Sequence, residues 1–162
     1  MLISKELNAL INAQIGNELG ASNQYLSIAA YFSGRTLTKF ADFFFAQAAE
    51  EHEHAMKFLH YLLEVGAEVK LPEIKAPRAN FDSAEDAVLA ALSWETDVTK
   101  QVYGLVELAQ KDKDYISQQF LDWFVKEQLE EISTMETLLA LVRMSGSNLL
   151  MLEPRLVELR EG

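Results

Sequence analysis

Apolar residues recur along this chain every three to four positions through four long stretches, which is the period of helices with one face turned inward. The breaks between the stretches are short and polar or carry proline. Pro72, Pro77 and Pro154 are the only prolines, so the blocks before Pro72 and between Pro77 and Pro154 each have room for two long helices. Ser33-Gly34-Arg35-Thr36 divides the first block, with Thr36 or Thr38 available to cap the second helix. Lys111-Asp112-Lys113-Asp114 divides the second block. The pattern predicts α1 at about Ser4–Ser33, α2 at about Thr38–Gly66, α3 at about Ser83–Lys111 and α4 at about Tyr115–Ser145.

Gly66 stands where a glycine ends a helix, and Ser83 followed by Glu85 and Asp86 suits a helix start. Short breaks make α1–α2 and α3–α4 antiparallel pairs. The irregular, proline-bearing stretch from about Ala67 to Phe81 is long enough to run the length of a bundle. The expected fold is all-α: an antiparallel four-helix bundle with one long crossover between α2 and α3. After Gly146, a short fifth helix is expected at about 154–161, with Pro154 in its first turn. No repeat or composition shift divides residues 1–162, so a single domain is expected, its bundle at about 4–145.

The inward rows carry acids. On α1 the row reads Leu7, Ile11, Ile15, Glu18, Ser22, Tyr25, Ala29, Phe32; on α2 it reads Phe40, Phe44, Gln47, Glu51, His54, Phe58, Leu62, Val65. On α3 it reads Ala84, Val88, Ala91, Glu95, Val98, Val102, Val106, Ala109. On α4 it passes through Ile116, Phe120, Trp123 or Phe124, Glu127 or Gln128, Glu131, Met135, Leu138 and Val142. One inward glutamate on one helix reaches solvent easily. Four, each near the middle of its helix, arrive at one height when the helices pack.

The chain has 162 residues, 49% of them apolar, and a formal net charge of −11. That balance excludes a protein that tracks nucleic-acid phosphates. It has no cysteine, which excludes thiolate metal sites, iron–sulfur clusters, disulfides and thiol nucleophiles. The start of the chain does not read as a signal peptide and no stretch reads as a membrane span, so a soluble, cytoplasmic protein with no membrane partner is expected.

Burying several carboxylates without cations is costly, and no comparable set of Lys or Arg faces inward. Metal ions are the natural compensation. Carboxylates with one imidazole suit iron, manganese or zinc. Glu51-x-x-His54 places two ligands one turn apart on one face, and with Glu18, Glu95 and Glu131 in phase the set suggests a dinuclear site.

The residues around these acids resemble those of bacterial non-haem ferritins. The likeness is carried by Gly16-Asn17-Glu18-Leu19, by Ala49-Glu50-Glu51-His52-Glu53-His54, by Trp94-Glu95, and by the run from Phe120 through Trp123, Glu127, Gln128, Glu130 and Glu131. The resemblance implies a ferritin-like bundle with a short fifth helix. It implies that Glu18, Glu51 and His54 hold one iron and that Glu51, Glu95 and Glu131 hold its neighbour, with Glu51 bridging and Gln128 beside the pair. It further implies a third iron position at Glu50, Glu127 and Glu130, and an electron-donating role for Tyr25. A hydrogen-bonded core tyrosine is the equal alternative for Tyr25. Haem-binding relatives place an axial methionine where His52 stands, so no haem is expected. α4 offers Glu127-x-x-Glu130 and Gln128-x-x-Glu131 without a histidine, which departs from bacterioferritins and rubrerythrin-like peroxidases.

The function implied is oxidation of Fe(II) by dioxygen or hydrogen peroxide, with storage of the product as Fe(III) mineral. One bundle with helices roughly 40 Å long cannot enclose a mineral, so a closed homo-oligomer is needed, and the resemblance implies a 24-subunit shell. Asp112, Asp114 and Asp122 are available to line pores. Two rival readings stay open: a non-storing di-iron oxidase or peroxidase of the rubrerythrin or bacterioferritin type, and a structural bundle whose acids are protonated. Gly16 and Gly20 flank Glu18 inside a long helix, and close helix packing near the metals is the expected reason.

Overall fold

A computed structural model describes residues 1–161; Gly162, part of the expected domain span, lies outside the described residues. The helices are α1 Lys5–Ser33, α2 Thr38–Glu64, α3 Ala84–Lys111, α4 Tyr115–Ser145 and α5 Glu153–Glu161, with a 3-10 turn at Leu149–Leu152 before the last. No strand occurs among the described residues. The start signals act largely as expected. Ser4, Ser83 and Asp114 each accept a hydrogen bond from the backbone N–H three residues on, satisfying a donor that the first turn would leave free. Gly66 adopts φ +69 just beyond the end of α2, a conformation glycine takes without penalty.

The expected threonine cap of α2 is not formed. Leu37 occupies the cap position and gives no side-chain bond, while Thr36 sits at φ 63 and closes the turn after α1. The role passes to Glu153 at the start of α5, whose carboxylate accepts from the backbone N–H groups of Lys39 and Phe40. A negative charge at a helix N-terminus is favourable, so this contact stabilises α2 and ties α5 to it.

The core divides into two apolar clusters, one toward each end of the bundle. One holds Tyr25, Ile28 and Phe32 of α1, Phe40 and Phe44 of α2, Val88 of α3 and Met135 and Leu138 of α4, with Leu152 and Leu156. The other holds Ile11 and Ile15, Ala55 and Phe58, Val98 and Val102, and Leu121 and Phe124. α1 and α4 run from the second cluster to the first, while α2 and α3 run from the first to the second. α1 and α2 are therefore antiparallel, as are α3 and α4, while α2 and α3 are parallel, as the long crossover requires.

The crossover is fastened along α1. The Asn12 amide donates to the Glu68 carbonyl at 2.9 Å and its oxygen accepts from Lys70 N at 2.6 Å. Gln24 brackets the backbone of Arg78 with two bonds of 3.0 Å. These side chains satisfy backbone groups of an irregular segment that has no ladder of its own.

The inward rows on α1 and α2 are buried throughout. On α3, Leu105 is buried and Val106 only partly so. The first turn of α4 is displaced from the expected row: Ile116 is 57% exposed, Phe120 is partly exposed, and Ser117 and Leu121 are buried instead. The Ser117 hydroxyl donates to Asp114 and lies 2.7 Å from the Tyr61 hydroxyl, so a polar residue faces inward there with its needs met. Further along, Phe124 and Gln128 face inward rather than Trp123 and Glu127. The glycines of α1 answer the crossover and α3 more than their own neighbour helix. A Cβ on Gly16 would stand 2.3 Å from Pro72 Cγ, and one on Gly20 would stand 3.1 Å from the Trp94 ring.

Candidate metal centre

The four inward acids lie at the seam between the two apolar clusters. Each helix changes cluster at its acid: Ile15 and Tyr25 flank Glu18, Ala48 and Ala55 flank Glu51, Ala91 and Val98 flank Glu95, and Phe124 and Met135 flank Glu131. All four are buried, as are His54 and Gln128. The bundle thus has a polar layer sealed above and below by hydrocarbon.

Within that layer, Glu18, Glu51 and His54 form one group whose ligand atoms all lie within 4.8 Å of one another, and Glu51, Glu95 and Glu131 form another. Glu51 belongs to both. A third group, His54, Glu127 and Glu131, overlaps them. His54 Nδ1 lies 3.2 Å from Glu51 Oε2 and 3.9 Å from Glu18 Oε2, and its Nε2 lies 3.7 Å from Glu127 Oε1.

Several of these side chains are held in place. Gln14 donates to Glu18 Oε1 at 2.8 Å, one turn before it on α1. The Tyr25 hydroxyl donates to Glu95 Oε1. Gln128 Nε2 donates to Glu95 Oε2 at 3.1 Å and to Thr99 Oγ1 at 3.0 Å. Other oxygens are left over: Glu18 Oε2, Glu51 Oε1 and Glu131 Oε2 are buried and meet no N–H or hydroxyl donor. A bound cation satisfies such oxygens where no donor does, so the donor set fits metal ions.

The electrostatics agree. Burial raises Glu18 to about 7 and Glu131 to about 10, and the neighbouring carboxylates Glu95, Glu50 and Glu127 add to the shift of Glu131. Glu51 and Glu95 are also raised, burial being the largest cause. No basic side chain is among the causes acting on these four. Without a cation the layer holds protons to limit like-charge repulsion. Burial, aided by the charge of Lys57, lowers His54 to about 4, so its ring is neutral near pH 7 with a lone pair free for a metal.

Of the remaining acids expected at the site, Glu127 is partly buried, with its carboxyl pushed upward by burial and then by Glu130 and Glu50. Glu50, Glu127 and Glu130 line one cleft with Glu131, but Glu50 and Glu130 belong to none of the close ligand groups. His52 and His60 are exposed. Sequence reasoning missed Gln14 and Thr99. A glutamine four residues before a core glutamate is the signal that would have found Gln14.

The chain matches the ferritin-like domain family over residues 8–145. It is 41% identical over 151 residues to the ferritin BfrB of Mycolicibacterium smegmatis, covering 93% of this chain and 83% of that one. It is 42% identical over 136 residues to a bacterial non-heme ferritin of Staphylococcus epidermidis, covering 84% and 82%. The open pore ferritin of the archaeon Archaeoglobus fulgidus superposes with a TM-score of 0.93 at 34% identity, covering 96% of each chain.

Proposed function

This chain belongs to the ferritin family, and on that premise we propose that it oxidises Fe(II) at the paired carboxylate layer and stores the product as Fe(III) mineral inside a shell of its own copies. The observation that carries the reading is the position of Glu51. One buried carboxylate shared by two ligand groups holds two ferrous ions close enough to meet one oxidant molecule.

Glu18 and His54 hold the first ion and Glu95 and Glu131 the second, with Glu51 between them. Hard anionic oxygens favour the ferric state over the ferrous, so the ligand set itself pulls the oxidation forward. Dioxygen, or hydrogen peroxide, takes the electrons. Gln128 and Tyr25 keep Glu95 aimed into the layer, and Tyr25 stands where it can supply a further electron. Glu50, Glu127 and Glu130 provide a third, outer iron position on the way out of the layer. Protons that the layer holds in metal-free protein leave as the cations bind.

Storage needs an enclosure that one bundle lacks. We place it in a homo-oligomeric shell of 24 subunits, acting in the cytoplasm, with residues 1–162 as one domain in each subunit. Oxygen uptake on adding Fe(II) to the metal-free protein tests the oxidation step. The protein accelerates uptake over iron alone and Glu51→Gln loses the acceleration; equal uptake by the protein, the variant and the buffer contradicts the reading.

A further inference from the structure

Two clefts between α2 and α4 lead from the surface to the metal layer, and Glu50 and Glu127 form a wall common to both. The larger, about 710 Å³, reaches Glu131 and runs out past Glu130 to Glu158 of α5. Its lining is acidic, with no Lys or Arg in it. The smaller, about 410 Å³, reaches His54 and passes Glu53, Lys57 and Trp123. Its acids are Glu50, Glu53 and Glu127, and among them, on α2, stands one lysine, Lys57.

That lysine is exposed and lies against an aromatic ring. Its Nζ stands 3.7 Å from the centre of the Trp123 ring, a placement favoured by the ring quadrupole. Trp123 in turn packs its edge against the His54 imidazole, with centroids 5.4 Å apart and planes at 75°. A lysine free to swing in solvent is screened and averages its charge over a wide volume. One seated on a tryptophan holds a positive charge at one point of the cleft mouth. Its field reaches the layer: after burial it helps lower His54, and it works against the upward push of burial, Glu130 and Glu50 on Glu127.

We propose that Lys57, seated on Trp123, is a charged stopper that closes the His54-side cleft to divalent cations, so that they travel between solvent and the metal layer through the acidic cleft at Glu131. The inference rests on the layer being a metal site, and deepens that reading by assigning its traffic to one side. The repulsion acts on moving ions and not on bound ones, so it changes rates and leaves the number of ions held unchanged.

The test uses Co(II), which binds without being oxidised here, mixed with the whole assembled protein after removal of metals and followed by stopped-flow absorbance. Lys57→Met keeps the apolar stem and removes the charge; Lys57→Arg keeps the charge. Association in Lys57→Met is expected to be about three-fold or more faster at low ionic strength, with the gain fading as salt approaches about 0.5 M, while Lys57→Arg matches the parent. Saturating Co(II) per chain is the same in all three. Equal rates in Lys57→Met and the parent overturn the stopper, as does a gain shared by Lys57→Arg or indifferent to salt. Failure of the parent reading looks different: Co(II) binding that is absent, or that Glu51→Gln leaves intact, removes the metal layer and the stopper with it.

Discussion

The hydroxyl of Tyr25 on α1 donates its hydrogen bond to the carboxylate of Glu95 on α3, across the centre of the bundle. Both residues are fully buried. The bond holds one oxygen of Glu95, and Gln128 donates to the other from α4, so the carboxylate is oriented from two sides. Tyr25→Phe removes the donor and little else. It should destabilise the metal-free protein by about 1–3 kcal/mol, the usual result of stranding a buried acceptor, and slow iron oxidation. Thermal unfolding and oxidation progress curves read the two effects; an unchanged oxidation rate leaves Tyr25 a structural core residue.

Metal removal should weaken the fold, because ligands that bind only the native layer stabilise it. Adding Zn(II) to the stripped protein at about 100 times its dissociation constant contributes about 2.7 kcal/mol per site, seen as a higher midpoint of unfolding. Glu51→Gln should lose most of this gain, since its carboxylate belongs to both ligand groups. A midpoint indifferent to Zn(II) in the parent chain contradicts a metal layer.

The raised carboxyls set the pH dependence of the stripped protein. Glu131 titrates near 10 in the fold against 4.5 as an unperturbed carboxyl, and Glu18 near 7. Between those values the unfolded chain has released a proton that the fold keeps, so stability falls as pH rises: through 7 for Glu18 and on toward 10 for Glu131. His54 acts in the opposite sense, since the unfolded ring gains a proton below 6.5 and the folded ring only near 4, so its contribution is lost as pH falls across that window. From pH 7 to 9 the carboxyls dominate, and the unfolding midpoint should fall. Glu131→Gln should flatten that slope, and bound Zn(II) should remove it, because cations then replace the protons and neither state titrates in this range.

The two glycines of α1 should separate sharply. Alanine gains about 1 kcal/mol of helix propensity over glycine at either position. At Gly16 the new methyl would stand 2.3 Å from Pro72 Cγ, and the crossover would have to move; a net loss of about 1–3 kcal/mol is expected. At Gly20 the nearest atom is 3.1 Å away, on the Trp94 ring, which needs to give only slightly, and Gly20→Ala should be near neutral in stability. Equal effects by denaturant titration would show that the crossover yields freely at Pro72. Unchanged iron oxidation in Gly20→Ala removes any role for that glycine at the metals.

Helical period alone revealed the bundle and the acid layer, because residues such as Glu18 and Glu95 fall in rows whose other members are apolar. It revealed α5 through Pro154. It failed where a hydrogen bond made a polar residue fit for the interior: Ser117, satisfied by Tyr61 and Asp114, displaced Ile116. It failed again where partners are distant in the chain. Glu153 caps α2 from more than a hundred residues away, and Pro72 explains Gly16 from the far side of a crossover. In sequence Lys57 is an ordinary surface lysine and Trp123 an alternative to Phe124 for the inward row. Only their stacking beside His54 makes them a feature of the site.

The central claim is storage, and it is met most directly by loading the metal-free protein aerobically with Fe(II), separating it by gel filtration and counting iron per chain in the eluted peak. The expected result is iron far beyond a few atoms per chain, carried by a large soluble particle. Saturation at about two per chain would contradict storage and leave a dinuclear site without a mineral compartment.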